Sequence, residues 1–204
     1  VDPVAQHYGV ELRRCLTGFK YIGDIIADLE QKEGSDESFL LGFEESYGYL
    51  PGGYVRDKDA VAASMLICQM ASYYKRQGKT LVDVMNDLYE DYGYYQNVTL
   101  NFAFEGEDGM KTMEQPPAEI AGTKVIGRSD YLLSRSYGDK EGVIDLPKSN
   151  VLEYRLGNGC KFIVRPSGTE PKIKIYLSGK GATKEESLRE IEKMKAAVPG
   201  VLGM

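Results

Sequence analysis

The chain has 204 residues, of which 42% are hydrophobic and 27% charged, and its formal net charge at pH 7 is −6. This composition is typical of a globular protein with one large domain or two small ones. The negative charge excludes an overall positive field that could hold a nucleic acid, and the short apolar runs exclude a membrane-spanning segment of about 20 residues. We therefore expect no nucleic-acid partner, no membrane partner and a cytoplasmic location.

The three cysteines and the single histidine limit the available chemistry. Cys15, Cys68 and Cys160 are an odd number without a CxxC pair, which favours reduced thiols over a disulfide framework or a zinc site. Cys68 and Cys160 lie in apolar patterns, so we expect both in the core. His7 is far from any nucleophile-like motif, and we expect it on a helix surface. The chain opens at Val1 without a methionine, and we expect it to be a piece of a longer protein.

The sequence pattern of the first half of the chain predicts helices and one short strand. Apolar residues at helical spacing predict helices over residues 4–8 and 22–30. The apolar run Phe39–Leu41 stands between turn residues and predicts a buried strand. The loop after it, residues 42–53, is rich in glycine, glutamate and tyrosine.

Two capped helices are expected next. Asp57 or Asp59 can cap a long helix that runs to Arg76, and Gly78 favours a left-handed residue after it. The apolar residues expected on one side of this helix are Val61, Met65, Leu66 and Met70. Thr80 and Asp83 can cap a second helix that runs to about residue 92. Its acidic residues argue against a DNA-binding helix-turn-helix, because they would face phosphates of like charge.

The second half, after a boundary expected near Tyr95, reads as an antiparallel sheet with helices. Strands are predicted over residues 98–104, 151–156, 160–164 and 173–177, with a short helix before Pro116-Pro117. Asn158-Gly159 is a strong hairpin signal. A last helix is expected from the capping box of Thr183 and Glu186, with Leu188, Ile191, Met194 and Val198 on its buried side. The predicted fold class is α/β followed by α+β.

The segment Arg165-Pro166-Ser167-Gly168-Thr169-Glu170-Pro171 joins two of these strands. It combines a guanidinium fork, two hydroxyls and a glycine that bares backbone N–H groups, and Lys172 and Lys174 follow it. No GxxxxGK[ST] pattern occurs, so this is not a nucleotide P-loop; the group suits a single phosphate monoester. The alternative is a stiff connection in which Arg165 pairs with Glu170.

Two further loops carry polar groups that suit a sugar phosphate. The segment 42–49 offers Glu44, Glu45 and Ser46, whose oxygens can accept hydrogen bonds from vicinal sugar hydroxyls. The alternatives are a metal site, a carboxylate pair for acid–base chemistry, or an exposed acidic turn. Thr17-Gly18-Phe19-Lys20 precedes a helix and could contact an anion; the alternative is a plain helix cap.

Three segments resemble the C-terminal half of the α-D-phosphohexomutases, closest to the bacterial phosphoglucomutase/phosphomannomutase branch. They are GFEESYGYL at 42–50, VRDKDAV at 55–61 and RPSGTEPKIKIY at 165–176. The resemblance implies that residues 1–95 are most of the third domain of that family, with α/β/α layers and a mixed sheet. It implies that residues 96–204 are the complete fourth domain, an antiparallel sheet with helices on one face.

The resemblance also implies roles for individual residues. Glu44 and Ser46 would accept hydrogen bonds from the sugar hydroxyls, with Thr17, Gly18 and Lys20 in a second sugar-binding loop. Arg165, Ser167, Gly168 and Thr169 would hold the non-reacting phosphate, with Lys174 adding charge. Many family members carry Gly-His after the serine, whereas Tyr47-Gly48 stands here, so no histidine role is carried over.

The implied activity is that of an intramolecular phosphotransferase that interconverts hexose 1-phosphate and hexose 6-phosphate. The parent enzyme would use a phosphoserine, Mg²⁺ and a hexose 1,6-bisphosphate intermediate. Neither a TASHNP-like serine motif nor a DGDADR-like metal loop occurs in this chain, so its partners would be the sugar phosphate and the missing N-terminal domains. The chain alone is expected to bind no metal, contain no catalytic residue and be inactive. The alternatives are a phosphopentomutase-type enzyme and a stand-alone sugar-phosphate binding module.

Overall fold

The computed structural model describes residues 1–45, 47–103, 116–166 and 172–203. These residues form two compact units, Val1–Leu88 and Tyr89–Met204, and each is described by itself below. The first unit contains four helices and a pair of short strands. They are α1 (Asp2–His7), α2 (Phe19–Glu33), β1 (Gly42–Phe43), β2 (Tyr49–Leu50), α3 (Ala60–Lys75) and α4 (Leu81–Tyr92), whose last residues belong to the second unit.

Helix α2 provides most of the small core of the first unit. Its apolar residues recur at intervals of three and four, so one side of the helix is buried as the sequence predicts. The buried cluster consists of Phe19, Ile22, Ile26 and Leu50, with Cys15 and Phe39 packed against it. The helix ends at Gly34, a left-handed residue with φ 78°. The helices predicted at residues 4–8 and 22–30 are therefore confirmed.

The strand predicted at Phe39–Leu41 is wrong. The N–H of Phe39 donates to the carbonyl of Asp36 at 2.9 Å, so this residue closes a turn and reaches the core from there. Leu40 and Leu41 are 63% and 45% exposed. The strand forms one residue later as β1, which pairs with β2 in antiparallel register. A short apolar run does not by itself decide between a strand and a buried turn.

Helix α3 begins at the predicted cap. The carboxylate of Asp59 accepts hydrogen bonds from the N–H groups of Val61 at 2.9 Å and Ala62 at 3.0 Å. Only Ala63 of the helix is buried. The side expected to be apolar is exposed, by 82% at Val61, 61% at Met65, 43% at Leu66 and 42% at Met70. Cys68, expected in the core, also lies exposed on this helix, because no described element covers it.

Helix α4 begins with the predicted capping pair. Thr80 Oγ1 accepts a hydrogen bond from the N–H of Asp83 at 3.2 Å, and the Asp83 carboxylate accepts one from the N–H of Thr80 at 2.7 Å. Gly78, just before it, adopts the expected left-handed conformation with φ 75°. No residue of α4 is buried. Among the described residues, no helix combines the length and the apolar character needed to cross a bilayer.

The second unit is an eight-stranded antiparallel sheet with one long helix. The strands are β3 (Tyr94–Ala103), β4 (Glu119–Ile120), β5 (Thr123–Asp130), β6 (Arg135–Gly138), β7 (Gly142–Val143), β8 (Leu152–Leu156), β9 (Lys161–Pro166) and β10 (Lys172–Gly181). Their order is β3-β10-β9-β8-β5-β6-β7, with β4 beside β5. Strands β3, β8, β9 and β10 confirm the four strand predictions; β4 to β7 were not predicted. The helix expected before Pro116 lies outside the described residues.

Helix α5 (Lys184–Leu202) covers one face of this sheet. Thr183 Oγ1 accepts a hydrogen bond from the N–H of Glu186 at 3.2 Å, which confirms the predicted cap. Ile191, Met194 and Val198 are buried as expected, but Leu188 is 43% exposed and Ser187 is fully buried in its place. The helix approaches the sheet too closely at this turn for a leucine.

This close approach depends on Gly179 in β10. A Cβ atom there would lie 2.7 Å from the carbonyl oxygen of Ser187 and 2.8 Å from Cγ1 of Ile191. The main core of the unit is next to this contact. In it, Phe162, Val164, Ile175 and other strand residues pack against the helix. Cys160 is buried in the same core, as predicted.

A buried arginine holds β5, β6 and β8 together on the sheet. The side chain of Arg155 is 8% exposed, and its Nε donates to Asp139 at 2.7 Å. Its Nη atoms donate to Ser129 Oγ at 2.6 Å and Ser136 Oγ at 3.1 Å. A third Nη contact reaches the carbonyl of Tyr137 at 3.2 Å. Because the guanidinium is paired and hydrogen-bonded, its burial is compensated.

We expect Gly179→Ala to lower the free energy of unfolding by about 1–3 kcal/mol, because its methyl group would push against the backbone of α5. Gly142→Ala is the matched control, since nothing lies within 4 Å of a Cβ at that position. It should change the free energy of unfolding by less than about 0.5 kcal/mol. Urea unfolding followed by circular dichroism measures both, and equal effects would contradict the proposed contact.

Candidate functional site

The first group of candidate residues surrounds the turn between β1 and β2. The N–H of Glu44 donates to the carbonyl of Gly48 at 2.9 Å, which closes the turn. Tyr47 has a positive φ of 65° and is 90% exposed, so its ring projects from the turn. Ser46, predicted to accept a hydrogen bond from the sugar, lies outside the described residues.

Gly48 allows three side chains to meet. A Cβ atom on this residue would lie 2.7 Å from Oε2 of Glu44, 2.8 Å from Cδ of Lys58 and 3.0 Å from the ring of Phe19. The Lys58 ammonium is 4.9 Å from the centre of the Phe19 ring, within the range of a cation–π contact. A carboxylate, an ammonium and an aromatic ring from three separate segments are therefore adjacent.

Lys58 is a member of this group that we did not predict. It stands between Asp57 and the helix-capping Asp59, and its ammonium forms an ion pair with Asp57 at 2.8 Å. The pKa of Lys58 is raised, first by the hydrogen bond to Asp57 and further by the charges of Asp57 and Glu44. The sequence carried one signal for it, since Lys58 lies inside the segment VRDKDAV that supports the family resemblance.

The segment that precedes α2 reaches the same place. Phe19 directly follows Gly18, the N-cap residue of α2, which supplies no side-chain acceptor to the helix amides. Burial raises the pKa of the Cys15 thiol, and the negative charge of Glu44 raises it further. Phe19, which directly follows Thr17 and Gly18, therefore lies with Glu44 around Gly48. The Lys20 ammonium instead lies 5.6 Å from the ring of Tyr21.

Residues 53–59 are fixed by contacts on both sides. The N–H of Asp59 donates to the carbonyl of Tyr49 at 2.9 Å, which connects the start of α3 to β2. The Tyr54 hydroxyl donates to Asp59 at 2.7 Å. The guanidinium of Arg56 donates to both Glu30 of α2 and the carbonyl of Gly53. These contacts hold the backbone on either side of Lys58 and so fix the point from which its side chain extends.

The second group lies on the sheet of the second unit. Phe162 and Val164 of β9 are buried against α5, so the alternating side chains of this strand place Arg165 on the opposite, open face. Ile173 and Ile175 place Lys174 of β10 there in the same way. Arg165 and Lys174 are direct cross-strand partners. Ser167, Gly168, Thr169 and Glu170 lie outside the described residues.

The open face is positively charged at this position. Within the part of the chain that the structure describes, no ion pair joins a carboxylate to Arg165 or Lys174. Two like charges directly opposite each other on a sheet are destabilising. A bound anion would remove this repulsion, and a guanidinium beside an ammonium suits a phosphate group. Among the residues described, no three His, Cys, Asp or Glu side chains are grouped to hold a metal ion.

The effect of the Glu44 charge on Cys15 can be tested by chemical modification. Replacing Glu44 by glutamine removes a negative charge, so the pKa of Cys15 should fall and the thiolate fraction at pH 8 should rise. We expect faster alkylation of Cys15 by iodoacetamide, measured by mass spectrometry of its peptide. Glu45→Gln is the matched control and should leave the rate unchanged. The same rate in both variants would contradict an effect of the Glu44 charge on Cys15.

Comparisons with known proteins identify one family for both parts of the chain. Residues 1–92 match the model of phosphoglucomutase/phosphomannomutase, alpha/beta/alpha domain III, and residues 104–195 match that of the C-terminal domain of the same family. These matches confirm the predicted α/β and α+β fold classes and the family resemblance.

The chain is also similar to curated phosphoglucomutases. It is 39% identical over 202 residues to a phosphoglucomutase of Staphylococcus aureus strain MRSA252, covering 94% of this chain and 36% of the relative. It is 41% identical over 186 residues to that of Staphylococcus haemolyticus strain JCSC1435, covering 86% and 33%. The chain thus spans about a third of the length of these relatives. It belongs to the phosphoglucomutase/phosphomannomutase family, of which it contains domain III and C-terminal domain sequence.

Proposed function

We propose that this chain is the substrate-binding half of a phosphoglucomutase or phosphomannomutase that interconverts hexose 1-phosphate and hexose 6-phosphate. Residues 1–95 would be the part of the third domain that contacts the sugar, and residues 96–204 the fourth domain, which binds the phosphate. The observation that carries the proposal is the pair Arg165 and Lys174, two cations opposed on an open sheet face. Both the family and the residues that flank this pair favour a phosphate monoester as the anion.

In this proposal the phosphate that does not react is held by the second unit. The fork of Arg165 can donate two parallel hydrogen bonds to phosphate oxygens, and Lys174 adds a charge next to it. Ser167, Gly168 and Thr169 are proposed to donate further hydrogen bonds. Binding energy from a phosphate remote from the reacting atom is available to orient the sugar.

The sugar hydroxyls are proposed to bind in the first unit. The Glu44 carboxylate can accept hydrogen bonds from two vicinal hydroxyls, and Ser46, Thr17 and Gly18 are the proposed neighbours. Lys58 can balance the charge of Glu44 and donate to a sugar oxygen, since its side chain lies directly against the same glycine. Contacts to the hydroxyls rather than to a reacting group would leave either end of the sugar free to react.

Phosphoryl transfer itself is proposed to belong to the rest of a longer enzyme. A phosphoserine would donate the phosphoryl group there, and Mg²⁺ would stabilise the transferring charge while a hexose 1,6-bisphosphate forms and reorients. This chain then contributes binding and orientation only. Without those parts, we expect the 204-residue chain to bind sugar phosphates but to show no mutase turnover, as measured by conversion of glucose 1-phosphate.

The phosphate clamp is tested by titrating the chain with glucose 1-phosphate, inorganic phosphate and glucose, followed by amide NMR shifts. The first two should shift the signals of Arg165 and Lys174, and glucose should not. Arg165→Ala should abolish these shifts; in a full-length enzyme it should cost about 2–4 kcal/mol of transition-state stabilisation. Lys161→Ala, on the same strand and face, is the control and should bind normally. A change below about threefold in kcat/KM for Arg165→Ala would refute the clamp.

The sugar contact is tested with a different pair of variants. Glu44→Gln should weaken the binding of glucose 1-phosphate by about three- to tenfold, since a charged hydrogen-bond acceptor becomes neutral. The affinity for inorganic phosphate should not change. Glu45→Gln, on the neighbouring residue, should leave both affinities unchanged. Equal losses for the sugar phosphate and for inorganic phosphate would assign Glu44 to structure rather than to sugar binding.

A further inference from the structure

The edge strand of the second unit adds a third polar residue to the Arg165–Lys174 pair. Val98, Leu100 and Phe102 of β3 pack on the core under α5, so the intervening residues face the open side of the sheet. Lys174 pairs with Arg165 on one side and with Asn101 of β3 on the other. These three residues therefore form one row across three neighbouring strands, which we call the anion row.

The anion row has no compensating carboxylate among the described residues. The acidic residue of β8 on this face is Glu153, which pairs in register with Ile163, one row further along the sheet. Its carboxylate lies 3.6 Å from Arg155 and 3.9 Å from Lys161, so it is directed to cations outside the row. The row thus keeps two positive charges and one amide.

Asn101 adds an uncharged hydrogen-bond donor next to the two cations of the row. Its amide is a hydrogen-bond donor without net charge, so it adds a contact to an anion without adding to the repulsion between the two cations. Asparagine is disfavoured inside strands, and the polar, exposed position of Asn101 contributes nothing to the core under α5. Neighbouring strands are about 4.8 Å apart, so an anion above the central Lys174 would have Arg165 and Asn101 on its two sides.

We propose that Asn101 is a further phosphate-binding residue, whose side-chain amide donates a hydrogen bond to the phosphate held by Arg165 and Lys174. This inference rests on the proposed function and extends its phosphate clamp to the edge strand of the sheet. The sequence alone gives no reason to single out Asn101, because polar residues are common on the open face of a strand. Only the cross-strand register distinguishes it from the other polar residues of β3.

The test uses the 204-residue chain and inorganic phosphate or glucose 1-phosphate as the probes. Asn101→Ala should weaken the binding of both by about three- to tenfold, the effect of one hydrogen bond to a charged group. Asn101→Asp keeps the shape of the side chain and places a negative charge in the row. It should weaken binding more than Asn101→Ala, and the extra loss should shrink at about 0.5 M salt because of screening.

Asn97→Ala is the matched control. Asn97 lies on the same strand and the same face, but its partner in β10 is Ser178, away from the two cations. It should bind both probes like the wild type. Circular dichroism of each variant checks that the sheet is retained.

The outcomes separate the two proposals. Loss of binding in Arg165→Ala with unchanged binding in Asn101→Ala and Asn101→Asp would overturn the role of Asn101 and leave the phosphate clamp in place. Equal losses in Asn97→Ala and Asn101→Ala would also overturn it, because they would indicate a general effect on β3. No phosphate binding by the wild-type chain would overturn both proposals.

Discussion

The register between β9 and β10 is the constraint on which the proposed phosphate clamp depends. Val164 pairs with Ile175, and both are buried under α5, so neither strand can slip by one residue without exposing its apolar side chains. The same alternation places Arg165 and Lys174 side by side on the other face. Two cations in this arrangement repel each other, and the free energy that opposes the repulsion comes from the apolar side of the sheet. The core thus fixes an electrostatic arrangement of two cations that a bound anion would stabilise.

In the first unit, close packing also brings charged groups together. Because Gly48 has no side chain, Glu44, Lys58 and Phe19 can approach one another around it. Each of the three is held by a different local structure: a tight turn, a helix cap and the first turn of α2. Because the backbone of each is already held, these groups would need less ordering to bind a ligand, which lowers the entropic cost of binding.

Local patterns predicted most of the secondary structure. The caps at Asp59, Thr80 and Thr183 depend on residues three positions apart, and the alternation of β9 and β10 needs only the strand itself. The predictions were wrong where contacts between distant segments determine which residues are buried. Leu188 was expected in the core, but the close approach at Gly179 places Ser187 there; the exposure of α3 depends on elements outside its own sequence.

Some residues of the candidate site could be predicted from local sequence and others could not. Glu44 and Arg165 stand in recognisable motifs, and their family could be inferred from sequence. The adjacency of Lys58 to Glu44 and the alignment of Asn101 with Lys174 could not, because both arise from pairing between segments far apart in the chain. The strands β4, β6 and β7 were also missed, since each has four residues or fewer. Strand β5 is longer, but Val125 and Ile126 are its only large apolar residues, so its sequence shows no apolar alternation.

The exposed apolar side of α3 also bears on how the chain moves. Its backbone amides are protected mainly by hydrogen bonds within the helix, and just one of its residues, Ala63, is buried. The free energy needed to open it locally is therefore small compared with that of the sheet under α5, whose core contains no residue of this helix. In amide hydrogen exchange the two would behave as separate cooperative units, with α3 exchanging through local opening. A protein surface that covered α3 would slow this exchange, so the amides of α3 would report directly on such a contact.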